Sequence, residues 1–151
     1  MPRRPTHLAI GGASGVVTGV LTCGTLPKEH QLLHIAFAGI GGTFGGLAPD
    51  VLEPAICPNH RSLFHSLAAA GGVGAAGFAE WQADCYRAAS ACDERARYAA
   101  LGSSERSNEE IKAFLWRALA GLIVGFLAGY ASHLILDAAT PKSLPIIASG
   151  F

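Results

Sequence analysis

Charge is scarce in this chain. Lys, Arg, Asp and Glu make up 15% of its 151 residues and cancel to a formal net charge of zero. Without a basic excess there is no bulk attraction to polyanions, so no nucleic-acid partner is expected. Paired cysteines are missing as well. Cys23, Cys57, Cys85 and Cys92 form no CxxC unit, so neither a zinc ribbon nor a disulfide framework is indicated. Cys85 and Cys92 share a helix face but stand about 10 Å apart along it, beyond disulfide reach. Methionine occurs once. What is plentiful is small and apolar: half the residues are hydrophobic and 19 are Gly. The mean hydropathy is +0.35. That profile is richer in apolar and small residues than an average soluble domain. The length suits one domain, 1–151.

Apolar runs organise the chain. The first covers 8–24, after Arg3 and Arg4. A basic start and a short apolar core resemble a signal peptide. His7 at the entrance argues otherwise, as do Gly11, Gly15 and Gly19 at every fourth position, a small-xxx-small face for close helix packing. A polar turn at 27–31 leads into a second run, 32–48, where Gly41 with Gly45 and Gly42 with Gly46 repeat the spacing. A third run, 63–79, is mostly Ala and Gly and long enough for a thin or tilted crossing. Over 80–100, Trp81, Cys85, Ala88, Cys92, Ala96 and Ala99 recur at three and four, which predicts an amphipathic helix continuing the third run. Gly102, Ser103 and Ser104 stop it, and Ser107 with Glu110 forms a capping box opening the last helix. That helix is predicted to reach about 138, with Gly121, Gly125 and Gly129 four apart. The pattern predicts an all-α fold: a four-helix antiparallel transmembrane bundle. Its third and fourth helices extend as a hairpin beyond the membrane, with 80–112 as the tip.

The stretch 46–66, GLAPDVLEPAICPNHRSLFHS, holds Asp50, Glu53, His60 and His65. Pro49, Pro54 and Pro58 predict a loop here, because each removes a backbone donor and restricts its predecessor. In an up-down-up-down bundle this loop shares one end with His7, at the start of the first helix, and with His133 and Asp137, near the end of the fourth. His133 and Asp137 are four apart and share a helix face. Only His30 and His34 among the histidines fall at the opposite end. Imidazole and carboxylate together suit zinc or another divalent transition metal. Ionisable groups at membrane depth are costly and usually functional.

The pieces PDVLE, HRSLFHS and GYASHLILDAATPKSLPII resemble the YdjM family of membrane-bound, metal-dependent hydrolases. That family's pattern has an N-terminal His, a Pro-Asp loop, an HRGxTHS-like motif and a GYxSHxxxDxxTPxGxP-like ending. These fall here on His7, Pro49 with Asp50, residues 60–66 and residues 129–145. There are departures: Leu52 stands where a second Asp is usual, with Glu53 next to it. Ser62, Phe64 and Ser143 replace Gly, Thr and Gly. The resemblance implies a bacterial inner-membrane location. It also implies, through similarity to zinc phospholipases C and related nucleases, phosphoester hydrolysis.

The expected function is therefore an integral membrane metallohydrolase acting on a lipid or lipid-linked substrate. One or two zinc ions are expected on His7, Asp50, His60, His65, His133 and Asp137, activating a bound water. Asp50, Glu53 or Asp137 is the expected general base when not bound to metal. Arg61 is a candidate phosphate clamp, and Thr140 a hydrogen-bond partner for a ligand. The rivals are a non-catalytic scaffold or metal carrier with a structural ion, and a soluble all-helical protein. A homo-oligomer through the Gly-rich helix faces is a further expectation. The basic residues of the hairpin lean toward placing it in the cytoplasm and the site outside, while Arg3 and Arg4 pull the other way.

Overall fold

The computed structural model describes residues 4–52 and 77–139. Within them the chain is all-helical, with no strand. Its helices are α1 (Arg4–Thr22), α2 (Lys28–Leu52), α3 (Phe78–Tyr98) and α4 (Ser104–Ala138), and a short 3-10 turn, Cys23–Thr25, follows α1.

Glycine spacing sets how three of these helices meet. Gly11, Gly15 and Gly19 form the buried stripe of α1 together with His7. A methyl group at Gly11 would strike the backbone of Gly42 and Gly46, and one at Gly19 would meet Ala38 and Ile35. The partners descend as the α1 numbers rise, so α1 and α2 are antiparallel. On its other side α2 meets α4. Gly121 lies against His34, Gly125 against Ala38 and Gly129 against Gly42. Here both numbers rise together, so α2 and α4 run parallel in a fixed register. Only residues without a side chain allow backbones this close, and dispersion over the whole seam is the return. The Gly faces are thus filled within one chain.

The connections differ in detail from the sequence expectation. Leu26 is extended (φ −90°, ψ 150°), as the residue before a proline tends to be, and α2 starts immediately after Pro27. The expected polar turn at 27–31 is therefore mostly the first turn of α2, with Gln31 Nε2 donating to the Leu26 carbonyl at 3.0 Å. At the other end α2 does not stop at Ala48. It runs through Pro49, which is fully buried, and carries Asp50 on helix to Leu52. The proline gives up one helical hydrogen bond, to the carbonyl of Gly45. Packing against neighbouring helices makes up for that loss in a way the local sequence does not reveal.

Helix α3 starts at Phe78; residues 63–76 of the expected third run lie outside the described residues. Its N-cap, Gly77, sits at a non-helical φ −137°, ψ −34°. Cys85, Ala89, Cys92 and Ala96 form its buried stripe, close to the expected one, whereas Trp81 is 61% exposed. Helix α3 is antiparallel to α4: Cys85 packs with Ala120 and Ile123, and Arg95 Nε reaches Glu109 Oε2 at 2.8 Å. Its first turns lie alongside the apolar half of α4, and its last turns form the charged tip. Between them Gly102 takes φ 76°, a conformation that glycine adopts without steric cost. The cap of α4 is Ser103, not Ser107. Its Oγ accepts from the Arg106 N–H at 3.2 Å. The helix starts one turn early because Ser103 is already extended there (φ −72°, ψ 151°) and presents its hydroxyl to the first free amides.

Helices α2 and α4 are long and apolar enough to cross a membrane. Residues 30–49 and 118–136 contain no Lys, Arg, Asp or Glu. At 1.5 Å per residue each spans roughly 30 Å, the thickness of a hydrocarbon layer. In the α2–α4 register these stretches coincide, with Asp50 level with Asp137 at one edge and Glu29 near Arg117 at the other.

Candidate metal centre

Four side chains meet at the edge marked by Asp50 and Asp137. His7 comes from the end of the first turn of α1, Asp50 from the last turn of α2, and His133 and Asp137 from successive turns of α4. Asp137 sits between the two histidines. Its Oδ1 lies 3.7 Å from His7 Nε2 and its Oδ2 lies 3.6 Å from His133 Nε2. His133 Nε2 is also 3.7 Å from Asp50 Oδ1. The two imidazoles stack with centroids 3.9 Å apart at 24°. Each of His7, Asp50 and His133 offers one ligand atom, and those atoms lie within 4.8 Å of one another.

The backbone decides which nitrogen of His133 faces this group. Its Nδ1 lies 2.7 Å from the Gly46 carbonyl oxygen. A carbonyl only accepts, so Nδ1 carries the proton and a neutral ring turns the lone pair of Nε2 toward Asp50 and Asp137. A lone pair 3.6 Å and 3.7 Å from two carboxylates lies outside hydrogen-bond range. Two donors bound at about 2.0–2.2 Å to one tetrahedral ion stand roughly 3.3–3.6 Å apart. The His7–Asp137, His133–Asp50 and His133–Asp137 pairs stand close to that spacing, while the His7, Asp50, His133 set, within 4.8 Å, must draw in further to share one ion. Two carboxylates and two imidazoles also suit a divalent cation, and a carbonyl holding the far nitrogen is the usual support for a ligating histidine. His7, His133 and Asp137 are buried; the side chain of Asp50 is 27% exposed and is where solvent reaches the group.

Of the residues expected at this end, the structure brings together His7, Asp50, His133 and Asp137. Glu53, His60, Arg61, His65 and Thr140 lie outside the described residues. The Gly46 carbonyl had no signal in the sequence, because its role depends only on the α2–α4 register. No family model matches the chain, and no curated protein or solved structure matches it significantly. Among the described residues, the fold and the site define an all-helical protein with two candidate membrane helices and a largely buried His7, Asp50, His133 group that could bind a metal ion.

A second histidine is equally buried at the other edge. His34 Nε2 lies 2.8 Å from Thr22 Oγ1, and the Tyr86 hydroxyl lies 2.7 Å from His34 Nδ1. Thr22 Oγ1 donates its proton to the Thr18 carbonyl at 2.8 Å, so it accepts from His34 Nε2–H. His34 Nδ1 then accepts from the Tyr86 hydroxyl. Burial pushes the Tyr86 phenol up to about 12, which keeps that proton in place. This histidine ties α1, α2 and α3 together and serves packing. Sequence reasoning placed it near this end but could not foresee Tyr86, which is far away along the chain.

Proposed function

We propose that the chain is an integral membrane protein that holds a divalent metal ion, zinc by donor chemistry, at one face of the bilayer. His7, Asp50, His133 and Asp137 are the proposed ligands. The observation that carries this reading is the orientation of His133: Nδ1 is fixed by a backbone carbonyl and Nε2 is turned onto two carboxylates in a buried pocket. The matching apolar stretches of α2 and α4 support the membrane reading, with the site at the rim of the apolar layer. Elemental analysis of the purified full chain tests it. Bound metal is expected in the wild type and a large loss in His133→Ala and Asp137→Asn; full metal content in both variants would sink the site.

The proposed use of the ion is hydrolysis of a phosphoester in a lipid or lipid-linked substrate, in a bacterial inner membrane. Support comes from the motif resemblance and from the position at the membrane rim. The partial exposure of Asp50 favours a catalytic over a closed structural ion, since a catalytic metal keeps a position open to water or substrate. A bound ion there would lower the pKa of water, and a carboxylate not engaged in ligation would accept its proton. Release of phosphate-containing product from phospholipid vesicles, dependent on metal and on Asp50, is the corresponding assay. No turnover with any phosphoester would leave the non-catalytic metal-binding reading.

A further inference from the structure

A cleft of about 550 Å³ opens at the end of the molecule opposite His7 and His133. The α1–α2 turn, the first turns of α2, one face of α3 and Arg117 of α4 enclose it. Its depth is set by the charge pattern. Glu29 is the last charged residue before the charge-free part of α2, and Arg117 the last before that of α4. Both line the cleft. The cleft therefore straddles the boundary between the charged tip and an apolar layer about 30 Å thick, where lipid headgroups lie.

Its walls carry both signs. Asp93 and Arg117 pair with each other across α3 and α4. Among the described residues Arg97, Glu29 and Glu94 enter no ion pair, and all three line the cleft. A simple anion would meet two unpaired acids. The cation-type grouping among the described residues is at the other end. A ligand carrying both charges satisfies both kinds of wall. The side facing α2 is held in place by Tyr86, whose hydroxyl is tied to buried His34 at 2.7 Å. Tyr98, 85% exposed, offers an aromatic face at the rim for an ammonium group.

We infer that this cleft binds a zwitterionic amine–phosphate headgroup of the ethanolamine type. Arg97 takes the phosphate, with a guanidinium fork suited to two oxygens. Glu94 and Glu29 take the ammonium, whose three N–H donors a choline lacks. A volume of about 550 Å³ accommodates such a headgroup. The lipid as source rests on the membrane reading; the headgroup chemistry does not.

The test uses the full chain in detergent, weighed by native mass spectrometry after exposure to phosphatidylethanolamine, phosphatidylcholine and phosphatidylglycerol of identical acyl chains. Ethanolamine lipid is expected to be retained at least about fivefold over each of the others. Arg97→Gln and Glu94→Gln should each remove most of that preference, with unchanged helicity because both side chains are exposed, while His133→Ala should keep it. A calorimetric titration with glycerophosphoethanolamine separates the two sources. Saturable binding lost in Arg97→Gln assigns the cleft to the headgroup alone; lipid preference without it assigns the site to the intact lipid. If the chain proves soluble without detergent, the membrane reading fails, and the titration still decides the cleft. Equal retention of the three lipids together with no titration signal overturns the inference, as does a preference or a signal that survives both substitutions.

Discussion

His34 and His133 lie on parallel helices and are both nearly sealed from solvent, at 1% and 0% exposure. What differs is the company they keep. His34 gives one nitrogen to the Thr22 hydroxyl and the other to the Tyr86 hydroxyl. Both are neutral partners at hydrogen-bond distance, and the ring is finished. His133 gives one nitrogen to the Gly46 carbonyl and turns the other onto carboxylates of α2 and α4, spaced for a shared ion. Burial alone thus says nothing about ligation. The partner of the second nitrogen does, because a neutral hydroxyl completes an imidazole whereas a pair of carboxylates calls for a cation.

Removing metal should separate the two most sharply. Bound metal in His133→Ala is expected to fall from about one ion per chain to near none, while His34→Ala keeps it. If His34→Ala lost metal equally, the contrast would be void. By linkage, metal at a hundred times its dissociation constant should raise wild-type stability by about 2.7 kcal/mol and leave His133→Ala unmoved, as read by thermal unfolding with and without chelator.

The seam that sets both environments comes next. Gly125→Ala places a methyl group against the Ala38 backbone and should cost about 1–3 kcal/mol. It should also weaken metal binding, since the α2–α4 register aims the Gly46 carbonyl at His133. An unfolding midpoint unchanged within error would mean the seam yields without strain.

His34→Ala, silent on metal, should still cost about 1–3 kcal/mol because it strips partners from the Tyr86 and Thr22 hydroxyls. Phenylalanine in place of both Tyr86 and His34 should recover part of the loss, since it leaves fewer polar groups stranded. A recovery of zero in that double variant would argue that shape, not hydrogen bonding, fixes the site.

The smallest expected effect lies at the charged tip. Lys112 Nζ at 2.6 Å and Arg95 Nε at 2.8 Å hold the Glu109 carboxyl down from 4.5 to about 2. A carboxyl with a depressed folded-state pKa contributes stability above its ordinary value of 4.5 and loses it as pH falls toward about 2. Wild type and Glu109→Gln should therefore differ in melting temperature at neutral pH and converge as pH drops through that window. Metal content should be the same in both throughout.

Much of this arrangement is legible in the sequence. Residues four apart share a helix face, so the Gly11, Gly42 and Gly125 series marked three packing stripes. Counting antiparallel crossings brought His7 to the end that holds His133 and Asp137. The helix through Pro49 was not legible, because the local penalty of a proline is visible in sequence and the packing that outweighs it is not. Nor was Ser103 as the cap, since Ser104 and Ser107 offer the same chemistry within one turn.

Among the described residues, the sequence by itself determined helices with apolar stretches of bilayer length, and it put ionisable residues at their ends. Periodicity and charge are properties of neighbours along the chain. Only the tertiary structure decided that His133 faces carboxylates and His34 faces hydroxyls. That choice depends on the register between α2 and α4 and on which helix lies across from each ring. Those pairings join residues far apart in the chain, and no local pattern encodes them.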